Sequence, residues 1–382
     1  MPKSTAKSSF WEAETFIGRP EVVIIGAGFT GLRAALTLKE QNASLSVLVV
    51  DRHPFGLGAS TRNAGFACFG SPTELLADLS VSPADTVWNT VESRYAGVKC
   101  LVREATEYPE VFQWEGGYEV FDDQQKYREV VAQLPMLNAE LSRRCGPDAI
   151  WQPANSPQGL GANVSVLFNA AEGKLQPAAL LANLQAKCRV AGVQLAYGCE
   201  VRSFDGTSGN MQVHTQQLGT IHCERLLLAT NAFTNQLGLD LDLEPCRNLV
   251  ILTKPLPNID LPGTYHHHEG YVYFRTVDRP EGKRILIGGA RHLAREAEQT
   301  AKFGIREDLR KSLKAYLNRF LSVDNEEVEL DMSWSGIIAQ GTEKSPVVQT
   351  VHPGLVLAVR LSGMGVALSA EVGERAAKLL VR

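Results

Sequence analysis

One short stretch restricts the folds open to this chain more than any other. Glu21-Val22-Val23-Ile24-Ile25 runs into Gly26-Ala27-Gly28-Phe29-Thr30-Gly31 and then into Leu32-Arg33-Ala34-Ala35-Leu36. An apolar, β-branched strand, a glycine turn and a helix-forming segment, in that order, begin a Rossmann-type βαβ unit. Gly26 lets the strand turn sharply. Gly28 leaves no side chain where a pyrophosphate must approach the backbone, and Gly31 lets helix and strand pack closely. The phosphates then sit on backbone N–H groups at the positive end of the helix.

Context gives the glycines their weight. With 33 glycines in 382 residues, chance alone supplies three at these offsets in about one such chain in four. Here Leu45 to Val50 reads as a second buried strand, and Asp51 follows it. The offset from Gly31 is 51 − 31 = 20 residues, where the fingerprint places a carboxylate for a ribose hydroxyl. An acid at that point suits an adenosine ribose without a 2′-phosphate.

The next segment distinguishes the dinucleotides. After Asp51-Arg52 comes Gly56-Leu57-Gly58-Ala59-Ser60-Thr61-Arg62-Asn63-Ala64-Gly65-Phe66, small, polar and too rich in glycine to be core. It resembles the G-A-S-x-R-N-x-G loop of the D-amino acid oxidase/glycine oxidase/sarcosine oxidase family of flavoproteins. Ser9-Phe10-Trp11 and Phe29-Thr30-Gly31-Leu32 are most similar to the branch that includes gamma-glutamylputrescine oxidase. The resemblance implies FAD, held along Gly26, Ala27, Gly28, Phe29, Thr30 and Gly31, by Asp51 and Arg52, and by Ala59, Ser60, Thr61, Arg62, Asn63, Ala64, Gly65 and Phe66. Arg62 is expected on loop carbonyls or phosphate.

The resemblance continues further along the chain. Gly173-Lys174-Leu175-Gln176-Pro177 precedes a helix over 178–191, and strands follow at 193–197 and 200–204. By the family pattern Val201 meets the adenine through its backbone. A buried strand then delivers Ala229-Thr230-Asn231-Ala232, written A-T-G-A in relatives. Asn231 replaces the glycine and tolerates the left-handed backbone the turn needs. Near the end, a buried strand over 355–359 leads to Ser362-Gly363-Met364-Gly365 and a helix over 366–381. In relatives this turn lies at the pyrimidine edge of the flavin, where a helix N-terminus stabilises negative charge on the reduced ring. Gly363, Met364, Gly365, Val366 and Ala367 therefore join the implied site. Relatives often carry a Lys or Arg where Val366 and Ala367 stand, so the helix dipole acts alone here.

Between these pieces the βαβ rhythm breaks. Residues 73–107 read mainly as helix, 114–121 as strand, and 122–145 as a long helix with Val130, Leu134, Leu137 and Leu141 on one face. Short strands at 250–254, 270–276 and 284–288, a helix over 305–320 and a strand over 327–334 complete a second region, with Ser335-Gly336 turning back. The fold class is thus α/β: a Rossmann-type FAD-binding domain (17–80, 150–240 and 335–382) plus an inserted α+β substrate domain with an antiparallel sheet (81–149 and 241–334).

For the reaction, the resemblance implies oxidation of the C–N bond of a small amine or amino acid, with oxygen or another acceptor taking the electrons. Tyr271, Tyr273 and Arg275 alternate and so share one strand face. Tyr273 and Arg275 are the catalytic-site candidates, Arg275 for a bidentate pair with a substrate carboxylate; Arg360 and Trp334 are lesser ones. Gly336 stands about where relatives attach flavin to a cysteine, and Asn63 lies in the 60–65 stretch where others use a histidine, so the FAD is expected to be non-covalent. The strand 284–288 lacks the oxygen-activating lysine of sarcosine oxidases. A 2-hydroxy acid dehydrogenase on the same fold, or a flavin-binding protein without turnover, stays open.

The composition excludes several classes. A formal net charge of −4 gives no footprint for nucleic acid. Seven cysteines without a C-x-x-C pair read as reduced thiols in a cytoplasmic protein. His266-His267-His268-Glu269 cannot all ligate one metal from a strand, and His53 reads as a surface residue. No run is apolar and long enough to span a bilayer. The first nine residues read as a frayed tail, not a signal peptide.

Overall fold

The computed structural model describes residues 9–257, 259–322 and 328–381. Most of the frayed tail and the beginning of the strand expected from Glu327 lie outside the described residues. The chain divides into two units: Met1–Thr61, Ala178–Pro245 and Ile338–Arg382 in one, Arg62–Pro177 and Cys246–Ile337 in the other.

The first unit is built on a six-stranded sheet in the order Val347–His352, Leu355–Val359, Arg225–Leu228, Val22–Ile25, Val47–Asp51, Gln194–Tyr197. Every neighbouring pair is parallel except the first, where Val347–His352 runs antiparallel along the edge. Strands covered on both faces need continuous apolar runs rather than alternation; Val22–Ile25 and Leu355–Val359 are buried at every residue. From Val22–Ile25 the chain passes to Val47–Asp51 on one side, and Arg225–Leu228 later fills the other. That reversal opens a crevice at the carboxyl ends of the strands.

Two helices of this unit, Phe29–Gln41 and Gly365–Leu380, pack backbone to backbone at Gly373. A Cβ on Gly373 would lie 2.9 Å from the Arg33 Cβ and 3.0 Å from both Ala34 N and Thr30 O. A separate antiparallel sheet, Val201–Thr207, Asn210–Thr215 and Thr220–Cys223, adds Met211, Val213 and Ile221 to the core under Val23, Leu48 and Leu226.

The second unit carries an eight-stranded sheet: Leu330–Gln340, Glu244–Thr253, Arg284–Gly289, Val272–Val277, Thr264–His267, Gly117–Phe121, Ser165–Asn169, Gln152–Ala154. Its pairings are antiparallel where Val272–Val277 meets both neighbours, and parallel where Thr264–His267 meets Gly117–Phe121. Helix Glu307–Phe320 covers one face with Leu309, Leu313, Leu317 and Phe320, packed on Val272 and Phe274. The expected long helix runs over Gln124–Cys145. Asp123 caps it by accepting from Gln125 N and Lys126 N, and its buried residues include Val130, Leu134, Leu137 and Leu141.

Two differences from the sequence reading have clear causes. Ser335-Gly336 does not turn the chain; the strand Leu330–Gln340 runs straight through both residues. There the Ser335 carbonyl accepts from Arg62 Nε and the Arg62 carbonyl accepts from Trp334 Nε1. Residues 62–80 and 150–177 group with the second unit. Phe66–Ala67 and Phe112–Gln113 both pair with Gly173–Leu175, and Gln152–Ala154 and Ser165–Asn169 are strands of the large sheet.

Candidate active site

In the first unit the glycine turn is seated against three other segments. Gly26 N donates to Val50 O at 2.8 Å, and a Cβ on Gly26 (φ +110°) would stand 2.6 Å from Ala229 O. A Cβ on Gly31 would stand 2.0 Å from Gly26 O. Only glycine permits this approach of turn, strand and helix. Asp51 Oδ2 accepts from Ala27 N and Oδ1 from His53 N, both at 2.9 Å. A carboxylate has about four lone-pair directions, so Asp51 is fixed in place and still able to accept from ribose hydroxyls. The expected loop comes next: Ser60 Oγ accepts from Phe29 N at 3.0 Å and lies 2.9 Å from where a Gly28 Cβ would be. Thr30 is buried, and Thr61 is held by Gly58 O.

The other two turns join the same crevice. Asn231 has φ +46°, the left-handed backbone expected where relatives have glycine. Its side chain does something a glycine could not: Oδ1 accepts from Arg360 N at 3.1 Å and from Leu361 N at 3.5 Å. Asn231 so ties the 229–231 turn to the start of the 360–365 turn. Arg360 (φ +60°) is buried, with Nη1 on Asp242 Oδ2 at 2.7 Å and Nε on Ser345 O at 3.0 Å. Its bonds are those of a brace, not of a substrate ligand. Ser362 (φ +49°) and Gly363 (φ +81°) are left-handed too, and Ser362 Oγ is buried without a hydrogen-bond partner.

Neither Phe29–Gln41 nor Gly365–Leu380 has an acid in its first turn or a side-chain bond from its own N-cap residue; Ser60 Oγ already accepts from Phe29 N at the first, and the positive end of each helix favours an anion. Met364, Gly365, Val366 and Ala367 form the second start, with Val366 and Ala367 buried. Arg52 lies over the Phe233 ring at 3.9 Å. Val201 is half-buried and pairs with Thr215, and the nearby Cys199 N donates to Asp51 O at 2.9 Å. A flavin dinucleotide fits this set. It would offer pyrophosphate to the first helix start, ribose hydroxyls to Asp51, and a polar ring edge to the orphaned Ser362 hydroxyl.

In the second unit the rest of the loop is locked by Arg275. Gly65 (φ +74°) could take no side chain, since a Cβ would stand 2.1 Å from Leu175 O. Arg275 Nε donates to Ala64 O at 2.6 Å and Nη2 to Leu175 O at 3.0 Å, and burial pulls its pKa down to about 10. Two of its donors thus serve main-chain carbonyls, and a bidentate pair with a substrate carboxylate would have to break those bonds. Asn63 Oδ1 accepts from Gly65 N at 2.8 Å. Tyr273 shares this face with Ala64, Phe66, Val277 and Trp334, while Val272 and Phe274 face the opposite core. Arg62 binds Ser335 O, a strand carbonyl rather than one of its own loop, and stacks over Phe303. Gly336 lies against Arg62, with ordinary van der Waals room for a Cβ.

Sequence reasoning missed a buried polar network in this unit. Phe66 edges onto His266, whose Nε2 meets Glu172 Oε2 at 3.2 Å. Phe69 N donates to Glu172 Oε1 at 3.1 Å, and Arg94 pairs with Glu74 at 3.0 Å. Cys68, Glu172 and His266 bring possible metal-ligand atoms within 4.8 Å of one another. However, Arg94 lies against the Cys68 sulfur and Glu172 is already shared by His266 and Phe69 N. Of the His266–Glu269 run, His266 joins this network, and His267 bonds Val120 O instead. The missing signal was spatial: Glu172 and His266 are 266 − 172 = 94 residues apart.

A parallel sheet with a reversal point, two helix starts without a first-turn acid and a ribose-type carboxylate define a dinucleotide-binding protein of the doubly wound class. The chain belongs to the FAD dependent oxidoreductase family, whose model matches residues 21–379. FAD is its cofactor and it is an oxidoreductase. Among relatives, a probable oxidoreductase OrdL from Haemophilus influenzae is 24% identical over 386 residues, spanning 96% of this chain and 84% of the relative. Glycine oxidase from Geobacillus kaustophilus superposes with a TM-score of 0.76 at 21% identity, covering 95% of each chain. L-proline dehydrogenase from P. horikoshii superposes with a TM-score of 0.74 at 16% identity, covering 94% of this chain and 93% of that one. No described helix is long and apolar enough to cross a membrane.

Proposed function

We propose that the protein oxidises the C–N bond of a small amine or amino acid, using non-covalently bound FAD, and that the imine product hydrolyses to a carbonyl compound and ammonia or a smaller amine. The bound flavin supplies the two-electron acceptor for hydrogen leaving the substrate carbon as hydride. The chain's own residues bind and orient. The Gly26–Gly31 turn and the start of helix Phe29–Gln41 take the pyrophosphate. Asp51 takes ribose hydroxyls, and Ser60 fixes the approach between Gly28 and Phe29. Asn231 and Arg360 brace the 360–365 turn so that Ser362 and the Gly365–Leu380 helix start meet the polar ring edge.

Arg275 holds Ala64 and Leu175 and so positions the loop that ends at Phe66. Tyr273, whose hydroxyl burial keeps protonated up to about pH 12, offers a neutral donor and acceptor to the substrate. The observation that most supports this reading is the meeting of the 26–31, 229–231 and 360–365 turns in one crevice, with a buried Ser362 hydroxyl left for a ligand.

The test is anaerobic loss of flavin absorbance with a panel of amines, D- and L-amino acids and 2-hydroxy acids. Bleaching by amines supports the proposal. Bleaching by hydroxy acids alone replaces it with the dehydrogenase reading, and bleaching by none leaves a flavin-binding protein without turnover. Release of intact FAD on acid precipitation checks that it is not covalently attached.

A further inference from the structure

The segment 299–305 of the second unit forms neither helix nor strand, and Lys302, Phe303 and Ile305 are exposed. A surface stretch of this kind keeps one conformation only where it is tied to something rigid. The buried Glu298 at its start accepts from Arg247 Nε at 3.0 Å and from Nη2 at 2.6 Å, and Arg247 stands on the strand Glu244–Thr253. Arg247 Nη1 reaches on to Lys302 O at 3.4 Å. The same nitrogen lies 2.8 Å from where a Cβ on Gly304 would be, so a side chain at 304 would push the segment off the guanidinium. Gly304 N then donates to Ser335 Oγ at 3.1 Å.

One more contact leads from this segment to the flavin loop. The Arg62 guanidinium carbon stands 4.8 Å from the centre of the Phe303 ring. Arg62 is the last residue of the short helix Ala59–Arg62, two residues after Ser60, whose hydroxyl accepts from Phe29 N at the glycine turn. Ser335 serves both partners: its carbonyl accepts from Arg62 Nε, and its hydroxyl accepts from Gly304 N. Trp334 Nε1 adds a bond to Arg62 O at 3.1 Å. The guanidinium is thus held between a strand carbonyl and an aromatic face, and the face belongs to a segment that the Arg247–Glu298 pair orders.

We propose that residues 299–305 form a clasp on the flavin loop, with Phe303 on Arg62 as its catch, and that this clasp sets how fast bound FAD is released. The proposal rests on the reading in which the 59–66 loop lies along the flavin, and it asks nothing of the substrate. Phe303, Ser335 and the Arg247–Glu298 pair are positioning residues, acting on the cofactor through Arg62. Escape of a non-covalent cofactor requires the loop to open. Every contact made only in the closed loop lowers the open population, and the release rate falls in proportion. A partly exposed cation–π contact supplies about two- to fivefold in such an equilibrium. The buried bidentate pair, which orders the whole segment, supplies more.

The test dilutes the FAD-loaded protein into FAD-free buffer and follows release by the recovery of flavin fluorescence, with thermal midpoints taken with and without FAD. Phe303→Ala should release FAD about two- to fivefold faster. Its FAD-free midpoint should match the parent's, because the side chain is 43% exposed. Phe303→Tyr keeps an aromatic face and should release like the parent, whereas Phe303→Leu keeps bulk without that face and should release like alanine. Glu298→Gln should release about tenfold faster or more; if it does not fold, Gly304→Ala unseats the same segment. Unchanged release in Phe303→Ala overturns the clasp, as does leucine behaving like the parent, or faster release matched by an equal fall in the FAD-free midpoint. Arg62→Ala separates the clasp from the reading beneath it. If Arg62→Ala speeds release and the Phe303 variants do not, the flavin loop stands and the clasp falls; if Arg62→Ala changes nothing, both fall.

Discussion

Replacing Asn231 by alanine should loosen the flavin-side turns more than replacing it by glycine, although glycine is the residue relatives carry there. Two effects oppose each other at this position. The backbone at φ +46° penalises any residue with a Cβ, by about 1–2 kcal/mol for most and less for asparagine. Against that, Asn231 Oδ1 is the acceptor for Arg360 N at 3.1 Å and, more weakly, for Leu361 N at 3.5 Å. A buried donor left without an acceptor costs about 1–3 kcal/mol. Alanine loses the acceptor and takes the full backbone penalty in place of asparagine's smaller one, for a total of about 1–4 kcal/mol. Glycine loses the acceptor and sheds the penalty, for about 0–2 kcal/mol. Aspartate keeps both the acceptor and the tolerance for this backbone. The expected order of urea midpoints is therefore Asn and Asp, then Gly, then Ala. Because the bonded amides begin the turn that carries Ser362, FAD affinity should follow the same order, falling about tenfold for each 1.4 kcal/mol of lost turn stability. Equal midpoints for Gly and Ala would show that the left-handed backbone carries no penalty here, and a glycine variant more stable than the parent would show that the side-chain bonds contribute less than that penalty.

Three other outcomes follow from the geometry. Gly31→Ala places a Cβ 2.0 Å from Gly26 O, so the purified variant should show little flavin absorbance per protein; a yellow, fully loaded variant would refute the close-approach argument. Arg275→Ala and Arg275→Lys should both lower the thermal midpoint, alanine by the equivalent of about 2–4 kcal/mol, because two buried carbonyls lose their donors; added substrate carboxylates should not rescue it. Glu119 is buried and its pKa is raised by burial to about 7, above its value of about 4.5 when unfolded. Its folded state therefore binds the proton more tightly, and its contribution, about 3 kcal/mol, is fully present below pH 4.5 and lost as pH rises through 7. His266, which burial pushes down but the bond to Glu172 and the nearby carboxylates raise on balance, acts with the same sign. Glu119→Gln should flatten the fall in urea midpoint between about pH 5 and about pH 8; an unchanged slope would sink the assignment.

The sequence revealed the first unit well because its signals are local. Continuous runs such as Val22–Ile25 and Leu355–Val359 are what a doubly covered parallel strand requires. Glycines at 26, 28 and 31 act within one turn, and the left-handed tolerance of Asn231 is a property of the residue itself. The helix over Gln124–Cys145 was readable for the same reason, with Asp123 and Gly146 at its ends. What stayed hidden depends on partners far along the chain. Nothing near Arg275 announces that its donors end on Ala64 and Leu175. Nothing near Gly373 announces the backbone of helix Phe29–Gln41. Ser335-Gly336 looked like a turn because both residues favour turns locally, and a strand interaction with Arg62 overrides that preference. The parallel join of Thr264–His267 to Gly117–Phe121 likewise has no local mark.

That parallel join has a bearing on how the protein is made. Gly117–Phe121 and Ser165–Asn169 leave the ribosome early, and the strand that completes their edge begins only at Thr264, 264 − 169 = 95 residues later. Until then a strand edge stands unsatisfied on a nascent polypeptide, exposed to chance pairing with its neighbours. Expression yield should therefore depend on translation speed and chaperone supply more than the finished molecule's stability would suggest.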